Sequence, residues 1–111
     1  MDGTAGHRER MTARVTEADF TATVIELAHY RHWHVTHFRP AWTERGWRTA
    51  IQGDTGFPDL VLARRGVIII AELKTEKGRV TRAQQAWAAA IGDCYRLWRP
   101  SMMDLITREL M

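Results

Sequence analysis

Phe20, Val24, Leu27 and Ala28 recur at i, i+4, i+7 and i+8, the stripe of an amphipathic helix, and this spacing predicts one helix from about Thr16 to His32. Thr16, followed three residues later by Asp19, resembles a capping box with Asp in place of Glu or Gln. Trp33 to Phe38 is rich in β-branched and aromatic residues, which predicts a strand that Pro40 ends. Residues 40–57, with Gly46, Gly53, Asp54 and Gly56, predict a long irregular loop.

Two apolar runs follow, Asp59–Ala63 and Val67–Lys74, separated by the turn Arg64-Arg65-Gly66. A connection that short implies an antiparallel hairpin. Val67 to Ala71 is apolar at every position, so the second strand should be central and covered on both faces. Thr81 with Gln84 repeats the capping-box pattern, and Gln84 to Ile91 then reads as a helix broken by Gly92-Asp93. Cys94 to Trp98 predicts a short strand, and Ser101 opens a last helix carrying Met102, Leu105, Ile106 and Leu110. Helix, three strands, helix, strand, helix is the order of an α/β domain with a small mixed sheet flanked by helices.

Composition agrees with one folded unit. The 111 residues are 45% hydrophobic and 26% charged, ordinary globular usage that argues against wholesale disorder. Residues 1 to about 14 are polar and aperiodic and read as a flexible lead-in, leaving 15–111 as a single domain. They resemble no secretory signal, and no apolar run approaches the roughly 20 residues that span a bilayer. Cys94 is the lone cysteine, which excludes an intrachain disulfide framework and a multi-cysteine zinc module. The expected setting is the cytoplasm, with no membrane partner. Sixteen Lys and Arg against thirteen acids give a net charge of +3, enough to tolerate a polyanion without demanding one. Lys74 and Lys77 are the only lysines, which draws attention to the surroundings of Lys74.

Those surroundings carry the candidate chemistry. In an antiparallel hairpin the start of one strand lies beside the end of the next, so Asp59 and Glu72 meet at one edge of the sheet. The period of two sets Glu72 and Lys74 on one face and aims Leu73 away. Two carboxylates with an ammonium beside an apolar strand are costly unless compensated. A divalent cation would compensate them, using both carboxylates, the carbonyl of Leu73 and waters. A cross-strand salt bridge at a strand end is the other reading of the same spacing.

Pro58-Asp59, twelve intervening residues and Glu72-Leu73-Lys74 resemble the signature of the PD-(D/E)XK nuclease superfamily. The longer string Gly56-Phe-Pro-Asp-Leu-Val-Leu, then Ala71-Glu-Leu-Lys-Thr-Glu-Lys-Gly78, Thr81, Gln84, Trp87 and Leu97-Trp-Arg-Pro100 resembles the small stand-alone VRR-NUC branch found in phages and bacteria. The likeness spans roughly residues 16–110 and is strongest from 56 to 100; residues 39–55 depart from it. It implies a restriction-endonuclease-like α-β-β-β-α-β core and a metal-dependent phosphodiesterase acting on DNA. Asp59 and Glu72 would bind Mg²⁺ or Mn²⁺, Leu73 would offer its carbonyl, and Lys74 would position or activate water. No small-molecule cofactor is implied. Stand-alone relatives act as homodimers on branched DNA such as four-way junctions, which makes a Holliday junction resolvase-like endonuclease the leading expectation. A non-catalytic DNA-binding module of the same fold, or a nicking or restriction-like nuclease targeted by a partner protein, are the rivals.

The same resemblance bears on Glu26 and Gln84, and the residues themselves suggest further candidates. Glu26 lies beside the apolar stripe of the first helix, where a solvated flank is its plain reading, and is the candidate for the acid that the family sets on that helix. Glu17 sits so near the cap that complementing the helix dipole suffices for it. Gln84 has a full structural task in the capping box, and the family motif has a glutamine contacting the site there. Arg79 and Arg82 flank the start of that helix and suit a backbone phosphate. Arg45 and Arg48, near Trp42 and Trp47, combine cations with aromatics that can stack on bases, although a dimer interface explains them equally well. His29, His32, His34 and His37 do not have the spacing of a closed zinc site; His37, on the strand before the hairpin, could face DNA.

Overall fold

A computed structural model describes residues 15–38, 41–43, 46–48 and 53–111; the lead-in, residues 1–14, lies outside them. Thr16 caps the first helix, α1 (Glu17–Tyr30), by accepting from the Asp19 amide, without the reciprocal bond of a full box. Phe20, Val24 and Ala28 form its buried face, as the apolar spacing requires. The strand β1 (His34–His37) follows. Where a long loop was expected the chain instead forms a small hairpin, β2 (Ala41–Thr43) with β3 (Gly46–Arg48). Strands of three residues are too short to show a period of two, and Gly46, Gly53 and Gly56 signal a loop in the same stretch.

The predicted hairpin is β4 (Leu60–Arg64) and β5 (Val67–Leu73), paired antiparallel with Leu60 opposite Ala71 and Arg64 opposite Val67. Then come α2 (Arg82–Ile91), a 3₁₀ turn over Gly92–Cys94, β6 (Tyr95–Trp98), a second 3₁₀ turn over Pro100–Met102, and α3 (Met103–Leu110). The main sheet runs β1-β4-β5-β6, with β6 parallel to β5 and the other pairs antiparallel. This is the expected mixed α/β sheet with flanking helices.

Period-two alternation divides the work of the two faces. Leu60, Leu62, Ile69, Ala71 and Leu73 join Phe20, Val24, Ala28, Trp33, Trp98, Ile106 and Leu110 in one core, so α1 and α3 cover that face. The opposite face carries Ile68, Ile70 and Glu72. β5 departs from the expectation of full cover at its start: Val67, beside Arg64 on the α1–α3 face, is 54% exposed, and Ile68, on this face, is 52% exposed. Ile68 is left open because α2, whose residues are only half-buried or exposed, reaches this face with its first turn at the Glu72 end of the strand. The second face is therefore closed at one end and open at the other, and Glu72 sits at the closed end.

Candidate metal centre

The site grows from the β4–β5 register. Pro58, fully buried, delivers Asp59 to the start of β4, across from Glu72. Asp59 Oδ2 accepts the Leu73 amide at 2.8 Å. In extended backbone the N–H and C=O of one residue point the same way, so the Leu73 carbonyl also looks toward the Asp59 side. The next residue faces the opposite direction, its amide donating to the Trp98 carbonyl on β6 at 3.0 Å. Asp59, Glu72 and the main chain of Leu73 thus converge at one strand end, as the hairpin spacing predicts.

Glu72 is 2% exposed, at the end of an apolar strand. Its Oε2 receives Gln84 Nε2 at 3.1 Å and lies 3.5 Å from the Lys74 ammonium. Its Oε1 is buried with no hydrogen-bond partner among the described residues. Burial first, and then the neighbouring Asp59 carboxylate, push the Glu72 carboxyl from 4.5 up to about 7, against the downward pull of Lys74. The same pair of acids reaches Tyr95 on β6: burial, then Glu72 and Asp59, hold its phenol above its ordinary value. Tyr95 belongs to the surroundings of the site, and no sequence motif pointed to it.

Gln84 performs both tasks foreseen for it. Thr81 Oγ1 accepts the Gln84 amide at 3.2 Å, and Gln84 Oε1 accepts the Thr81 amide at 2.9 Å, which closes the capping box. That leaves Nε2 free to hold Glu72. The start of α2 is pressed into position by Gly56, whose φ of +92° and lack of a side chain let the chain pass Ala83; a Cβ there would stand 2.7 Å from Ala83 Cβ. Phe57 packs edge-on between Phe38 and Trp87, and Trp87 Nε1 donates to the Thr55 carbonyl at 3.0 Å. Downstream of Lys74 the loop is pinned by Arg99, whose Nη1 donates to the carbonyls of Thr75, Glu76 and Gly78. In the sequence Arg99 is only part of the Leu97-Trp-Arg-Pro100 string; the folded loop gives it this role.

The acid on α1 requires a correction. Glu26 is exposed and is not among the residues lining the cavity beside Asp59. A cavity of about 470 Å³ beside Asp59 is lined instead by Glu17, Thr21 and Ile25 of α1, together with His37 and Phe38. Glu17 and Glu26 are nine positions apart; at 100° per residue that sets them on opposite sides of the helix. Proximity to the cap had argued against Glu17, yet the first turn is the part of α1 that reaches Asp59. Among the described residues, no group of three or more His, Cys, Asp or Glu stands together as a metal cluster. Glu17 lines the cavity without completing one.

Two carboxylates remain, with a carbonyl directed the same way and a buried oxygen lacking any partner. Mg²⁺ takes one or two protein carboxylates and retains several waters, so this donor set fits such an ion, and Glu72 Oε1 is the atom that lacks what the ion would supply. Arg79 and Arg82 are exposed, on the loop before α2 and at its first position. Arg45 lies outside the described residues; Arg48 ends β3, and its side chain lies outside them as well. No helix among the described residues is long and apolar enough to cross a membrane. Comparison with protein-family models and with curated proteins found no match to this chain.

Proposed function

We propose that this chain is a metal-dependent phosphodiesterase that cuts DNA, of the VRR-NUC type within the PD-(D/E)XK nucleases, with branched DNA such as four-way junctions as its substrate. The observation that carries the reading is Glu72 Oε1: a carboxylate oxygen buried without a partner among the described residues, next to a second carboxylate at the end of an otherwise apolar strand. Structural salt bridges satisfy their oxygens; this one leaves an oxygen for something else.

Asp59, Glu72 and the Leu73 carbonyl would hold Mg²⁺ or Mn²⁺. When bound, such an ion lowers the pKa of water toward neutrality and offsets charge on the phosphate. Lys74 stands beside Glu72, where its ammonium would donate to and orient the attacking water and offset charge on the phosphate, the water's proton passing in the end to the leaving oxygen. Gln84 fixes the Glu72 carboxylate, so that its free oxygen keeps one direction. The reaction is hydrolysis: a water oxygen bonds to phosphorus, the ester P–O bond opposite breaks, and the products are a phosphomonoester and a hydroxyl. A two-fold homodimer would present two such sites to the two strands of a symmetric junction.

The test is incubation of the protein with linear, nicked, flap and four-way DNA, with Mg²⁺ or with EDTA. Junction cleavage that needs Mg²⁺ and falls at least about 100-fold in Asp59→Asn and Lys74→Ala is expected. Cleavage of none of the substrates refutes the enzyme, and binding without cutting would identify a DNA-binding module. Equal cleavage of all four refutes junction selectivity.

A further inference from the structure

At the other end of the sheet α1 and the β4–β5 turn enclose a cavity of about 650 Å³, lined by His29, Arg31, His32, Arg64 and Arg65 together with Tyr30 and Met111. Among the described residues no Asp or Glu lines it, and the Met111 oxygen in the lining is already held by Arg64. Arg64 is committed to the fold: its guanidinium donates to the carbonyls of Arg31, Leu110 and Met111 and stacks 4.4 Å from the Trp33 ring. Arg31 and Arg65 have no ion-pair partner among the described residues, and Arg31 Nε is buried with no acceptor.

The backbone beneath this cavity is unusual in the same place. Among the described residues only two that are not glycine have positive φ, His32 at 68° and Arg65 at 52°, and both line it. His32 is the left-handed residue of a complete Schellman motif, with its amide on the His29 carbonyl and the Trp33 amide on the Ala28 carbonyl, a position that favours glycine. Arg65 is the first central residue of a two-residue hairpin turn, where Asn, Asp or Gly is the rule. Each side chain makes its left-handed backbone costlier than glycine would. Neither is needed to form the turn it occupies, and strain retained in this way points to use of the side chains.

We propose that this cavity is a second nucleic-acid contact, taking a backbone phosphate of the substrate through Arg31, Arg65 and the histidines beside them. The inference rests on the nuclease reading, which supplies the polyanion. Arg64 lies five positions along the strand from Asp59, about 17 Å at 3.3–3.4 Å per residue, or roughly five base pairs of duplex rise. Along the same route α1 joins the two places: its first turns line the cavity at Asp59, and its last residues line this one. The clustered cations and fork-shaped arginine donors, with no Asp or Glu among the described lining residues, suit phosphate.

The test measures equilibrium binding of the whole protein to duplex and four-way DNA in EDTA across a salt series. Arg65→Gly and His32→Gly should each raise the melting temperature by a few degrees, because each relieves a left-handed side chain. Arg65→Gly should weaken DNA binding about three- to tenfold and reduce the slope of log K against log salt by about one. Arg65→Lys, which keeps the charge, should recover most of the affinity. Wild-type affinity and slope in Arg65→Gly would overturn the second contact while leaving the nuclease reading untouched. A wild-type protein that binds no DNA would refute the reading beneath it. Tighter binding of poly-glutamate than of DNA would overturn the choice of nucleic acid as the ligand.

Discussion

Gln84 holds Glu72 through its amide nitrogen at 3.1 Å while its amide oxygen closes the cap of α2 on Thr81 at 2.9 Å. One side chain thus ties the start of a helix to a buried carboxylate. Removing the two ends separately distinguishes them. Thr81→Ala should cost about 1 kcal/mol by loss of the cap and leave Glu72 held. Gln84→Ala should cost at least as much and also release Glu72 Oε2, with metal affinity and cleavage falling roughly tenfold or more, the usual scale for a partner that orients a ligand. Chemical denaturation together with Mn²⁺ titration of both variants checks this.

Glu72 predicts the pH response of the metal-free protein. Its folded value of about 7 lies above the ordinary 4.5. Between those limits the folded state keeps a proton that the unfolded chain has released, so this group's contribution to stability falls as pH rises through the window. A divalent cation competes with that proton, so added Mg²⁺ should raise the melting temperature more at pH 8 than at pH 5. Glu72→Gln should melt higher than wild type at pH 8 without metal and should show no gain on adding Mg²⁺.

Gly56 predicts a strain effect at a distance from the chemistry. With φ at +92° and Ala83 Cβ 2.7 Å from any added methyl, Gly56→Ala must displace the N-terminus of α2. A loss of about 1–3 kcal/mol is expected from backbone strain and overpacking, and cleavage should fall with it because Gln84 moves. Restored cleavage in 1 M osmolyte, with the fold rescued, would show that Gln84 had stayed in place and contradict this coupling.

Glu109 provides the control. It accepts Arg96 Nε at 2.7 Å and the indole of the fully buried Trp98 at 3.1 Å, and among the described residues it makes no hydrogen bond to Asp59, Glu72 or the Lys74 side chain. Glu109→Ala strands that indole N–H and should cost about 1–3 kcal/mol, yet cleavage by the folded fraction should match wild type. A matched destabilisation with intact activity separates loss of fold from loss of site.

Much of this arrangement was legible because it depends on short-range patterns. The Arg64–Gly66 turn determines the hairpin, the hairpin determines that Asp59 faces Glu72, and Thr81 with Gln84 announces its own cap. What escaped depends on the third dimension. Glu17 and Glu26 are both acids on the same helix, and choosing between them needs to know which turn of α1 meets β4. The β2–β3 hairpin is too brief to show alternation. Val67 and Ile68 read as a buried strand from composition alone, but α2 is placed too far along β5 to cover Ile68, and Val67 lies at the turn end of the other face. Arg99 and Tyr95 acquire their places only when β6 pairs with β5.

The most direct measurement is anomalous diffraction from crystals soaked in Mn²⁺. The account predicts a peak between the Asp59 and Glu72 carboxylates, within bonding reach of the Leu73 carbonyl and absent in Glu72→Gln. Crystals saturated with Mn²⁺ that show no peak there, with Glu72 Oε1 still lacking a partner, would contradict it.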